Sequence, residues 1–189
     1  EVNGNKTGIA GLTSSATDTV TILVTSKTGA GITGGTFNGI NGGTSGSGDV
    51  NIGLSGNAIV ADVTGGVNGI VGTGQGNVSV YVSGNTVSGG TGSGIDATST
   101  SGVADAGSDD VTINAANAVI KGAVGINAKN TGLDTTDEVL IALSGTTTVQ
   151  GTNGDGVHAE AINSLLNFDT INTITSANGD ALDLSTSGS

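Results

Sequence analysis

The stretch Gly76 to Ala97, GNVSVYVSGNTVSGGTGSGIDA, decides the fold. It opens with an alternating run, Val78, Val80 and Val82, whose apolar side chains fall on one face of an extended chain. A polar corner follows at Ser83-Gly84-Asn85, then a short apolar step at Val87, a glycine-rich loop and a closing tetrad, Gly94-Ile95-Asp96-Ala97. Similar stretches lie on both sides of it.

The tetrad recurs as Gly8-Ile9-Ala10-Gly11, Gly39-Ile40-Asn41-Gly42, Gly69-Ile70-Val71-Gly72, Gly125-Ile126-Asn127-Ala128 and Gly156-Val157-His158-Ala159, and degenerates to Ala181-Leu182-Asp183-Leu184. The steps between first residues are 31, 30, 25, 31, 31 and 25. The alternating run repeats in phase as Val20/Ile22/Val24, Val50/Ile52/Leu54, Val111/Ile113/Ala115 and Val139/Ile141/Leu143. Self-similarity at such a period is the mark of a repeat architecture. Alternating Val, Ile and Thr suit a strand buried on one face. Glu160 to Phe168, EAINSLLNF, is the one window with helical spacing, and it is short. Each unit offers three short apolar steps separated by Gly, Asn, Ser and Thr. The expectation is therefore an all-β parallel β-solenoid of about six coils, each 25 to 31 residues long with three strands.

Composition agrees. The chain has 189 residues, 36 glycines, no proline, and 2% aromatic residues. A solenoid is only about 10 Å thick between facing sheets, so Val, Ile and Ala fill it, while glycine serves the corners. One domain spans the chain: residues 1–17 form an N-terminal coil or cap, 18–159 the regular coils, and 160–189 a diverged C-terminal coil or cap. Phe37 is expected to point inward, and Ser99 to Ser108 to form a corner insertion.

The coil SGNTVSGG followed by GI resembles the right-handed parallel β-helix repeats of pectin-lyase-like proteins. The Val-, Gly- and Thr-rich style resembles the passenger regions of bacterial autotransporter adhesins. The resemblance runs from about Asp18 to Leu184 and implies a right-handed coil, in line with the usual hand of parallel crossovers. It leaves function open, because such architectures host lyases, glycosidases, tailspikes, adhesins and filament subunits alike.

The net charge is −12, with four cationic residues, which argues against nucleic acid and anionic membrane surfaces as partners. No stretch is apolar and long enough to read as a membrane span. Zero cysteines and methionines fit a secreted or cell-surface protein stabilised by stacking. The start at Glu1 fits a processed mature protein or an excised fragment, and the polar tail Ser185 to Ser189 is expected to pack against a neighbouring subunit.

Three sets of residues are candidate sites. Asn57, Asn85 and Asn117, with Thr146, occupy similar corners and are expected to form a structural amide ladder. The third tetrad position gives an outward column, Asn41, Val71, Asp96, Asn127, His158 and Asp183. Asp96, His158 and Asp183 in it offer an acid/base or metal constellation, with a solvated polar face as the plainer reading. Finally, Asp49, Asn77, Asp110 and Glu138 precede the first strand of successive coils. Asp109 and Asp137 double that charge, and Asp134 lies nearby. Stacked carboxylates at Asp109, Asp110, Asp134, Asp137 and Glu138 point to calcium, which takes oxygen ligands. The nonapeptide calcium pattern is only faintly echoed at Gly89-Gly90-Thr91-Gly92 and Asn153-Gly154-Asp155.

The leading functional expectation is a non-enzymatic extracellular rod or filament subunit that self-associates end to end, with a host or matrix glycan as a further partner. A polysaccharide-binding or polysaccharide-cleaving β-helix is second; without arginine, and with Tyr81 the sole tyrosine, it lacks a clamp and a stacking platform. An ice-binding solenoid is third, suggested by Thr19-Val20-Thr21 and Thr146-Thr147-Thr148.

Overall fold

The computed structural model describes residues 2–25, 31–100, 109–132, 135–162, 165–170 and 173–187. Among the described residues, twenty short strands follow one another round a three-sided coil. The first turn is β1 (Val2–Gly4), β2 (Ile9–Thr13) and β3 (Val20–Ile22); the second is β4 (Ile32–Gly34), β5 (Ile40–Thr44) and β6 (Val50–Ile52). The third is β7 (Val63–Gly65), β8 (Ile70–Gly74) and β9 (Val78–Ser83), and the fourth β10 (Thr86–Gly89), β11 (Ile95–Ser99) and β12 (Val111–Ala116). The fifth is β13 (Val119–Gly122), β14 (Ile126–Asn130) and β15 (Glu138–Ser144). The sixth is β16 (Thr148–Gly151), β17 (Val157–Ile162) and β18 (Leu165–Thr170), and β19 (Thr173–Ser176) and β20 (Leu182–Ser187) begin another.

Every third strand pairs, in parallel, so the molecule has three sheets of seven, seven and six strands. The first contains β1 to β19, the second β2 to β20 and the third β3 to β18, each in steps of three. The protein is a parallel β-solenoid, and no helix occurs among the described residues. The window Glu160 to Phe168 is part of β17 and β18.

Register follows the sequence repeat. Val78, Val80 and Val82 lie over Val111, Ile113 and Ala115, which lie over Val139, Ile141 and Leu143. All nine are buried, and together with Ile40, Ile70, Ile95, Ile126 and Val157 from the tetrads they form one continuous core. In-register stacking makes like meet like, so a core built of Val, Ile and Ala closes without large rings.

The first tetrad residue is glycine for a steric reason. A Cβ built on Gly8, Gly39, Gly69, Gly94, Gly125 or Gly156 would come within 2.7 Å of the carbonyl oxygen of the equivalent residue in the next coil. Only the last tetrad begins with a side chain, at Ala181, and Ala181 is exposed.

Two expectations are corrected. Leu54 does not continue the run Val50/Ile52: Gly53 takes φ 74 and turns the chain out through Leu54 to Asn57. Ile59, fully buried, bridges to Val82 and fills the inward place instead. Phe37 is 50% exposed, because it sits in the turn after β4, where the chain has left the sheet. Of the expected insertion, residues 101–108 lie outside the described residues, while Ser99 belongs to β11 and is buried.

Candidate functional site

The entries to β6, β9, β12 and β15 in the third sheet carry a ladder of side-chain oxygens. Asp49 Oδ1 accepts from the Asn77 backbone N–H and from Asn77 Nδ2, both at 3.1 Å. Asn77 Oδ1 accepts from the Asp110 N–H at 2.9 Å, and Asp110 Oδ1 from the Glu138 N–H at 2.8 Å. One residue earlier, the Asp109 N–H donates to Asp137 Oδ1 at 3.0 Å, and both aspartates are buried. The structure thus brings Asp109, Asp110, Asp137 and Glu138 together at one corner; Asp134 lies outside the described residues. Apart from the bond from Asn77 Nδ2, each of these joins a side-chain oxygen to a backbone N–H of an adjacent coil, so amide dipoles face the stacked side-chain oxygens.

The asparagines expected in a ladder do not share a column. Register continues from Ser83, Ala116 and Ser144, which places Gly84, Asn117 and Gly145 at the same corner, with φ of 62°, 51° and 66°. Asn117 is there because asparagine tolerates the left-handed region that glycine occupies in the neighbouring coils. Its Oδ1 accepts from the Thr146 N–H at 3.1 Å. Asn85 is buried one step further on, where its Nδ2 donates to the Ala61 carbonyl at 2.9 Å. Asn57 is exposed in the turn that Gly53 opens. The amide pair that does stack is Asn38 and Asn68: Asn68 Nδ2 donates to Asn38 Oδ1 at 3.2 Å, and Asn68 Oδ1 accepts from the Ser93 N–H at 2.6 Å.

The outward column is real. Strand register aligns Asn41, Val71, Asp96, Asn127, His158 and Asp183 in that order across the second sheet. Asn127 Nδ2 donates to Asp96 Oδ1 at 2.9 Å. The Asp96 carboxyl is held above its ordinary value by burial, which that hydrogen bond partly offsets. Asp96 and His158 stay two coils apart, whereas His158 and Asp183 are direct partners, with Nδ1 and Oδ2 2.8 Å apart.

Asp155 joins this pair. Its Oδ2 is 3.6 Å from the same His158 Nδ1, and one donor atom from each of Asp155, His158 and Asp183 lies within 4.8 Å of the others. Asp155 stands just before the sixth tetrad, the place held by Asn38, Asn68 and Ser93 lower down. Its Oδ1 accepts from the Asp180 N–H at 2.9 Å, the same coil-to-coil bond that Asn68 makes with Ser93. Sequence reasoning missed Asp155 because alternation describes strands, and the corner before β17 turns a residue three positions away back towards His158. The signal was the set of polar residues, Asn38, Asn68, Ser93 and Asp155, that precede the tetrads in a column interrupted by Val124.

On the third sheet, the turn Leu54 to Asn57 makes one wall of a groove of about 340 Å³, lined by Leu54, Ala58, Val60, Tyr81, Ser83 and Asn114 among others. Tyr81 lies on the outward side of β9 and pairs in register with Asn114.

No family model matches the chain, and neither a curated protein nor a solved structure matches it.

Proposed function

We propose that the protein is an extracellular structural rod whose ends stack onto further copies of itself, in the manner of β-helical surface adhesins. The observation that carries this reading is the state of the inward-facing residues at the two ends. Leu182 and Leu184 lie in register over Val157 and Ala159, which are fully buried, yet they are 41% and 39% exposed. At the other end Val2, in register with the buried Ile32, is 43% exposed. β1 and β20 are the outermost strands of their sheets at these two ends, and edge strands are templates for pairing with another chain. A head-to-tail contact that does not close into a ring propagates as a filament. Ala181 shapes the joint: its Cβ occupies the space that the tetrad glycines leave for the next coil, so the copies meet along the strands and stand apart at that corner.

Light scattering with electron microscopy tests the proposal. The expected result is concentration-dependent linear assemblies of uniform width, reduced to monomers by Leu184→Asp. A monodisperse 17.9 kDa species at high concentration overturns it.

A second reading, glycan binding on the flank, is favoured by the groove beside Tyr81. An aromatic ring flanked by an amide and hydroxyls, with no charged residue among the lining, is suited to a neutral sugar. Saturable binding to a neutral-glycan array, lost in Tyr81→Ala, supports it; unchanged binding in that variant removes it. On the third sheet the register does not align threonines, since Thr21 pairs with Asn51 and Asn51 with Ser79. On the other sheets Thr33 aligns with Thr64 and Thr73 with Thr98, but the columns pass to Ser88 and Lys129 in the next coil, so a regular ice-binding threonine ladder finds little support.

A further inference from the structure

We propose that Asp155, His158 and Asp183 bind a divalent transition-metal cation of the zinc class, which clips β20 to the coil beneath it. Two carboxylate oxygens, Asp183 Oδ2 at 2.8 Å and Asp155 Oδ2 at 3.6 Å, converge on the single nitrogen His158 Nδ1. One imidazole N–H satisfies one carboxylate through a straight hydrogen bond; a cation between the three donors satisfies both.

The spacing suits such an ion. Ligand atoms about 2.1 Å from one zinc stand about 3.0–3.4 Å apart at right to tetrahedral angles. The two distances to His158 Nδ1 bracket that range, and the three donor atoms lie within 4.8 Å of one another, so a small closure of the carboxylates completes the site. The donors are also positioned in advance. His158 is held by β17 and Asp183 by β20, as register partners. The Asp155 carboxylate is anchored through Oδ1 by the Asp180 N–H, which leaves Oδ2 directed at His158. Gly179 keeps this arrangement open, because a Cβ there would stand 2.5 Å from Asp155 Oδ1.

An imidazole with two carboxylates selects zinc, cobalt or nickel over calcium and magnesium, whose sites are all oxygen. Three protein donors leave a further coordination position for water. Because Asp155 and His158 belong to one coil and Asp183 to the next, the ion ties the terminal strand to the stack. This inference is independent of end-to-end assembly, since it concerns contacts within one chain.

The test is calorimetric titration of the full chain with zinc chloride, joined to the visible spectrum of the cobalt-substituted protein. One equivalent of zinc is expected, with a rise in melting temperature and a cobalt spectrum showing nitrogen and oxygen ligation. Asp183→Asn and His158→Gln are each expected to weaken binding at least tenfold. Asp155→Asn keeps the oxygen that receives the Asp180 N–H, so it folds and isolates the loss of the metal donor. Absence of saturable zinc binding, unchanged affinity in Asp155→Asn and Asp183→Asn, or equal affinity for calcium would each overturn the proposal.

Discussion

Asp110 Oδ1 accepts the backbone N–H of Glu138, 28 residues later in sequence and one coil away, at 2.8 Å. The same oxygen-to-amide bond links Asp49 to Asn77 and Asn77 to Asp110. The carboxamide of Asn77 therefore performs the same bridging as the carboxylates on either side of it, so acceptor geometry is what this corner requires.

Asp110→Asn keeps the acceptor for the Glu138 N–H and is accordingly expected to cost less than Asp110→Ala. Asp110→Ala leaves the Glu138 N–H without this acceptor and is expected to cost about 1–2 kcal/mol, or a melting temperature lower by several degrees. Thermal melts of both variants, with and without calcium and chelator, check this. A calcium-dependent loss in Asp110→Asn would show that the carboxylate's charge matters there, as a calcium site at Asp109, Asp110, Asp137 and Glu138 requires.

The tetrad glycines make a contrasting pair of substitutions. A Cβ at Gly69 would stand 2.5 Å from the Gly94 carbonyl oxygen and 2.7 Å from Val87 Cγ1, inside the stack. Gly69→Ala should destabilise by about 1–3 kcal/mol, the range for overpacking. Ala181→Gly removes an exposed methyl group, and its expected cost is that of the flexibility of glycine, about 0.5–1 kcal/mol. It also frees the corner at the end of the stack. Denaturant melts on dilute protein should separate the two, and sedimentation at high concentration should show longer assemblies for Ala181→Gly.

Most of the fold was legible because a solenoid repeats its instructions. The valine run at Val78 to Val82 and the tetrads fix strand positions, inward faces and register together, and each coil checks the next. What escaped the reading lies where the chain leaves the strands. Leu54 has the right spacing for the core, but Gly53 at positive φ diverts it, and a glycine's φ is not written in its residue type. Phe37 has the hydrophobicity of a core residue, but it stands in the turn after β4 and is half exposed. The site was half legible. Periodicity put His158 beside Asp183, whereas Asp155 arrives through a corner; Asn85 and Asn117 separate because corners of different length shift the count by a residue, and Asn57 leaves the column in the turn that Gly53 opens.

The corner at Asn117 gives a third prediction. Its φ of 51° matches Gly84 and Gly145 in the adjacent coils. Asn117→Gly should fold normally and lose the bonds that Asn117 Oδ1 accepts from the Thr146 N–H and hydroxyl. Asn117→Val places a β-branched residue in the left-handed region, expected to cost about 1–3 kcal/mol. Equal stability of the glycine and valine variants in urea would contradict the argument.

Asp96 links the outward column to pH. Burial raises its carboxyl above the ordinary value of 3.8, with the hydrogen bond from Asn127 opposing the shift. A raised value means that the folded protein holds this proton more tightly than the unfolded chain does. The stability it contributes is complete below the unfolded value and is lost as pH rises through the folded one. At neutral pH the ionised carboxylate is therefore a burden that an amide would not carry. Asp96→Asn keeps an oxygen to accept from Asn127 Nδ2 and should raise the melting temperature at pH 7. The gain should shrink as the pH is lowered past the folded value and vanish below about pH 4. Melting curves of the two proteins between pH 3 and 7 decide it: a gap independent of pH would assign the effect to packing, and no gap at pH 7 would mean that burial of this carboxylate carries no cost.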